Sequence, residues 1–185
     1  MRYATLLSAV LMTATLAATA AADGFTLDSP DLVDGKLPAA FTLSESYGFG
    51  CAGRNLSPAL TWRNPPEGTR SFVLMIHDED APTGIGWMHW VVANIPVAAE
   101  SLPRGVSGDA ARLPAGALET RSDLGVPGYM GPCPPDGQIH DYVFTLTALK
   151  VDKLPVDANA TPALVGFMAK ANSLGEARFR VTQGR

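Results

Sequence analysis

The chain has 185 residues, with 14 Lys and Arg against 18 Asp and Glu and a formal charge of −4. That length suits one domain with a real core, and 18 Gly and 15 Pro beside only 17% charged residues argue against a coiled coil, a helical bundle or a disordered chain. The mild acidity argues against a nucleic-acid binder, whose surface must neutralise phosphates.

The N-terminus reads as a secretory signal peptide over residues 1–22. Arg2 supplies the positive start, residues 6–18 are apolar and uncharged, and Ala20-Ala21-Ala22 offers small residues for cleavage before Asp23. The uncharged run over 3–22 is rich in Ala and Thr and lacks a basic stop-transfer flank, which favours a leader over a membrane anchor. The expectation is an exported protein, periplasmic or secreted, with a single domain over 23–185 and no later transmembrane segment. In an oxidising compartment Cys51 and Cys133 read first as a disulfide; two buried thiols are the alternative, and neither cysteine has a zinc-type C-x-x-C neighbour.

Gly48-Phe49-Gly50-Cys51-Ala52-Gly53 matches a dinucleotide-binding G-x-G-x-x-G, but no amphipathic helical run follows it to receive a pyrophosphate, so it reads as a glycine-rich loop. After the turn Pro66-Glu67-Gly68-Thr69, the continuous apolar run 72–76 predicts a strand buried on both faces. A second long run, 87–95, is interrupted by His89 and Asn94 and stopped by Pro96. Residues 142–149 alternate, with Tyr142, Phe144 and Leu146 on one face and Val143, Thr145 and Thr147 on the other. Thr161-Pro162 predicts an N-cap and first helical residue for a helix over 163–171, and 177–181 alternates again as a returning strand.

Three pairs of functional side chains stand at spacing two: Asp78 and Asp80 after the first buried strand, Trp87 and His89 on the next, His140 and Tyr142 at the start of the alternating one. Residues i and i+2 of an extended chain share a face, so neighbouring strand ends would gather both imidazoles, both carboxylates, an indole and a phenol in one pocket. Each residue alone also fits a bland role: Asp before Ala81-Pro82 as a turn former, His89 as a hydrogen-bonded core residue, Tyr142 as core. Three chemistries suit the set. Imidazoles and carboxylates could hold a metal for hydrolysis, although no compact ligand motif is present. Nucleophilic catalysis lacks a G-x-S-x-G setting for any serine. An anion pocket would draw on the N–H groups of Gly131, Cys133, Asp136 and Gly137 in the proline-rich loop 131–137, with a protonated His89 or His140 as the cation.

The motifs Asp78-Glu79-Asp80-Ala81-Pro82, Trp87-Met88-His89-Trp90, Asn94-Ile95-Pro96 and Gly131-Pro132-Cys133-Pro134-Pro135, with Gly137, His140 and Tyr142, resemble the phosphatidylethanolamine-binding protein family, and within it the bacterial Raf-kinase-inhibitor-like branch. Gly53-Arg54-Asn55-Leu56-Ser57-Pro58 with Trp62 upstream, and Val165-Gly166-Phe167 downstream, extend the resemblance over nearly the whole mature chain. It implies a mostly β fold: a large central antiparallel sheet packed on a smaller sheet, with few peripheral helices. It also implies a pocket for phosphate, acetate or phospholipid headgroup analogues, carried over to Asp78, Asp80, Trp87, His89, Tyr129, Gly131, Cys133, His140 and Tyr142, and a cis peptide at Ala81–Pro82, which costs only about 0.5–1 kcal/mol before proline. Family members bind ligands and partner proteins, and some inhibit kinases or proteases; they are not generally enzymes. The resulting expectation is an exported, non-enzymatic binding protein without cofactor or metal, with a small anion or headgroup as ligand and no nucleic-acid partner. A secreted inhibitor of a partner protein and a metal-dependent hydrolase built on the His/Asp cluster are the alternatives. Anion binding should weaken as pH rises through about 6.5, the reference histidine value.

Overall fold

A computed structural model describes residues 24–185. The leader proposed over 1–22 lies outside the described residues. Eight strands and one helix follow in chain order: β1 (Thr26–Asp28), β2 (Leu60–Arg63), β3 (Ser71–Asp78), β4 (Trp87–Pro96), β5 (Ser101–Leu102), β6 (Leu118–Glu119), β7 (Ile139–Leu149), α1 (Pro162–Asn172) and β8 (Ser173–Gly184). They form a five-stranded sheet in the order β6-β4-β3-β7-β8 and a three-stranded sheet in the order β1-β2-β5, with every pairing antiparallel. This is the two-sheet, mostly β architecture the resemblance implies.

The run 72–76 lies in the central strand because it can bury both faces. Phe72, Leu74 and Ile76 face the small sheet and join Trp62, Leu60, Trp90, Phe144 and Leu146 in the main core. Val73 faces the other way, with Val91, Ala93 and Leu149, onto Val165 and Ala169 of α1. The helix starts where capping chemistry dictates: the Thr161 side chain accepts from the Leu164 N–H, and Pro162 occupies the first turn, where its missing N–H costs nothing. At the open edge, β8 turns Ala177 and Val181 into the core, while Glu176, Arg178 and Arg180 lie on its other face; such charge discourages edge-to-edge pairing.

β4 runs beside β3 with two irregularities, between Ile76 and His77 and between Phe72 and Leu74. At the first, Ile76 pairs with Trp90 and His77 with Met88, so His89 is the extra residue of a β-bulge. At the second, Asn94 adopts a left-handed φ of 57°. These are the two polar residues that interrupt the apolar run in the sequence.

Two long-range ties hold the loops that wrap one end of the large sheet. Cys51 and Cys133 form a disulfide across 82 residues of sequence, with their Cα atoms 6.0 Å apart. Asn55 donates to the Tyr129 carbonyl and accepts from the Gly131 N–H at 2.7 Å. Residues 48–53 are loop without a following helix, as read from the sequence.

Candidate functional site

The central strand ends at Asp78, which lies opposite Trp87 on β4 and Tyr142 on β7. Period-two alternation then puts His140 on the same face as Tyr142. On β4 the bulge allows His89 to join Trp87 at the pocket while its neighbour Trp90 still packs into the core. The three strand ends therefore converge. Asp78 Oδ2 lies 2.8 Å from His140 Nδ1 and 3.9 Å from His89 Nε2, and the His89 ring stands edge-on to Tyr142 with centroids 5.1 Å apart.

These groups line a cavity of about 160 Å³ bounded by Asp78, Trp87, His89 and His140, with Phe49 and Cys133 among its other walls. At about 30 Å³ per water it holds roughly five water volumes. A cleft of about 610 Å³ beside Trp62 and Glu100 is larger but carries no histidine; His89 and His140 both line the smaller cavity.

Each ring is oriented by a bond at Nδ1. His89 Nδ1 is 2.7 Å from the Met130 carbonyl, to which it donates, leaving Nε2 as the free nitrogen. Burial pushes the His89 imidazole down to about 4, against the opposing pull of the Met130 bond and the Asp78 charge. His140 presents Nδ1 to Asp78 and Nε2 to the Gln138 side chain at 2.9 Å. Tyr142 is buried and its phenol is pushed up, first by burial and then by the nearby Asp78 carboxylate. Its hydroxyl has no well-aligned partner, although Asp78 and the Cys133 backbone are beside it; the Trp87 indole N–H is likewise buried without one. Trp87 lines the cavity beside the free imidazole nitrogen of His89, whereas Tyr142, expected there from the sequence, is fully buried behind the lining residues.

Several expectations are corrected. Asp80 is exposed, and its carboxylate accepts from the Asp141 N–H at 2.7 Å; it fastens the loop after β3 to β7 and does not line the cavity. Tyr129 is core: its hydroxyl donates to the Phe41 carbonyl and its ring packs edge-on to Trp90. The Gly131 N–H is taken by Asn55 and the Gly137 N–H by the Arg185 carbonyl, so the proline-rich loop does not offer those two donors to an anion. Gly131 is needed for space instead, since a Cβ there would lie 2.5 Å from the Phe41 carbonyl oxygen. The Ala81–Pro82 bond is trans. Here the loop reverses through Gly84 and Gly86 at positive φ and a bond from the Thr83 hydroxyl to the Gly86 carbonyl, so the turn does not require the less favoured isomer. Among the described residues no group of three or more His, Cys, Asp or Glu is arranged to hold a metal ion.

Four contributors were not read from the sequence. Gln138 continues the spacing-two series of His140 and Tyr142, so the same rule could have reached it. Phe49 carried a weaker signal, an aromatic between two glycines beside Cys51. Met130 acts through its carbonyl and Arg185 through a contact with the disulfide, and neither has a local signature.

Comparison with known proteins accords with this geometry. A family model described as phosphatidylethanolamine-binding protein matches residues 34–184. The UPF0098 protein YbcL of Escherichia coli (strain K12) is 45% identical over 175 residues, 93% of each chain. The UPF0098 protein YbhB of the same strain is 45% identical over 152 residues, 82% of this chain and 94% of the relative. The crystal structure of E. coli YbcL, described as a new member of the mammalian PEBP family, superposes with a TM-score of 0.82 at 43% identity, covering 87% of this chain and 98% of that one. The Chlamydia trachomatis homolog CT736 gives a TM-score of 0.73 at 25% identity, over 89% and 99% of the two chains. The chain belongs to the phosphatidylethanolamine-binding protein family.

Proposed function

We propose that the protein is an exported, non-enzymatic binding protein whose cavity takes a small anion of the phosphate or carboxylate class, such as a phospholipid headgroup. The observation that carries this reading is the set of polar groups around one small space: His89 Nε2, not spent on a protein hydrogen bond, and Trp87, whose buried indole N–H has no partner. Buried donors normally find an acceptor, and a ligand oxygen supplies one. The name of the family points to the same ligand class. The volume suits a small headgroup.

The threshold of 6.5 expected for a free histidine does not apply to His89, whose imidazole burial pushes down to about 4. An anion against Nε2 favours the imidazolium, so binding draws a proton onto the ring. Affinity then declines from about pH 4 upward, by at most about tenfold per pH unit, until the raised pKa of the complex is passed. Calorimetry with phosphorylethanolamine at pH 5.0 and 7.5, each in two buffers of different ionisation heat, tests this. Tighter binding at pH 5.0 is expected, with proton uptake that His89→Ala removes. Absence of heat at both pH values, or proton uptake unchanged in His89→Ala, would overturn it.

A further inference from the structure

The disulfide does more than close a loop, because its two halves carry two walls of the cavity. Cys133 lines the cavity itself, and Phe49 lines it from the segment that Cys51 anchors. Phe49 is half exposed, between Gly48 and Gly50, both in the left-handed region at φ 74° and 86°. Arg185 Nη1 donates to the Phe49 carbonyl at 2.8 Å, and Cys133 Sγ, which carries no hydrogen while bridged, lies 3.6 Å from the same oxygen. The same Nη1 lies 3.7 Å from both sulfurs. Its acidic neighbour Asp136 is 3.9 Å away and almost fully exposed, so it offsets little of that charge.

We propose that Cys51–Cys133 is a thiol–disulfide exchange site that gates the cavity; the gating half rests on the binding reading above. A thiolate of a dithiol reductant attacks one sulfur and forms a mixed disulfide, and the electron pair of the broken bond leaves on the other sulfur. The guanidinium stabilises that leaving thiolate, which speeds the step. The second thiol of the reductant then releases the first cysteine. Two electrons and two protons pass from the dithiol to the protein, and the reductant departs as its own disulfide. With Cys51 free, the Phe49 carbonyl retains the Arg185 bond and at most a weak one from the Cys133 thiol, 3.6 Å away, and the arm swings on its flanking glycines, opening one side of the cavity.

Arg185→Lys, which loses the forked bond to Phe49 but keeps a positive charge, controls for the arm, and the probe is Arg185→Gln, whose backbone is held independently by bonds with Gly137 and Gln138. Its reduction by dithiothreitol at pH 7 should be about five- to tenfold slower than that of wild type, the size expected for one partly solvated charge beside a thiolate; equal rates overturn the exchange assignment. Hydrogen exchange of the oxidised and reduced proteins reads the gate without any ligand. Faster exchange confined to 47–53 and 131–137 is expected, whereas no change, or loss of protection throughout β3 and β7, shows a bridge that is inert or purely structural and overturns the proposal. Phosphorylethanolamine should bind at least tenfold more weakly to the reduced protein and to oxidised Phe49→Ala, and equal affinity overturns the gate. If the oxidised protein binds none, the anion reading fails while the exchange measurements still decide this one.

Discussion

β4 carries two bulges that solve the same geometric problem for opposite ends. At one, Asn94 is buried, and both halves of its amide are spent on Leu154: the side-chain N–H₂ donates to the carbonyl at 3.2 Å and Oδ1 accepts from the N–H at 2.7 Å. At the other, His89 is equally buried but only Nδ1 has a full-strength partner, and Nε2 faces a cavity. The same irregularity in the same strand thus serves architecture in one place and a site in the other. What separates them is whether the buried polar group has unspent hydrogen-bonding capacity, because a satisfied group has nothing left to offer a ligand.

Substitution should separate the two bulges. Asn94→Ala strands two buried backbone groups of Leu154 and places a side chain with Cβ but no compensating bond in the left-handed region. A loss of about 3 kcal/mol is expected in urea unfolding, with phosphorylethanolamine affinity unchanged below the unfolding transition. His89 should behave differently. Its folded pKa of about 4 lies below the unfolded value of 6.5, so its contribution is fully present above pH 6.5 and is lost as pH falls toward 4, when the unfolded chain takes up the proton first. The loss reaches up to about 3 kcal/mol. Subtracting the pH–stability curve of His89→Gln from that of wild type isolates this part from the general protonation of carboxylates. A flat difference between pH 7 and 4 would show that the ring is not held neutral by burial.

Much of this was legible because strand alternation is a local rule. Spacing two put Trp87 and His89 at one cavity and His140 on the same face as Tyr142, although Tyr142 itself lies behind the lining, and Thr161-Pro162 marked the start of α1 through capping chemistry that needs no tertiary context. The paired cysteines likewise read as the disulfide that the structure contains. The rule failed for Asp80 because β3 ends at Asp78; beyond that point the chain turns, and Asp80 follows the loop to the Asp141 N–H. Tyr129 and Gly131 were misplaced for another reason. Their partners, Phe41 and Asn55, lie 88 and 76 residues away, and no periodicity encodes such a contact. The bulges were visible only as polar interruptions in an apolar run. That the interruption at residue 89 faces a cavity and the one at 94 a loop depends on what the fold brings opposite each.

The smallest effect gives the sharpest form of the comparison. The Tyr142 hydroxyl is as buried as the Asn94 amide, yet it lacks an aligned partner and lies beside the Asp78 carboxylate. If unspent capacity marks the site, Tyr142→Phe deletes a hydroxyl whose bonds within the protein are poorly aligned. Stability should then stay level or rise by up to about 1 kcal/mol, since a desolvated donor without an acceptor is removed with little loss of packing. Where the ligand reaches past the lining residues to this hydroxyl, affinity for phosphorylethanolamine falls about tenfold, the worth of one hydrogen bond to a charged oxygen. Denaturant titration and calorimetry on the one variant read both quantities. A stability loss above about 2 kcal/mol would place the hydroxyl with Asn94, as a bond of the architecture. The cavity would then keep only His89 and Trp87 as groups waiting for a ligand.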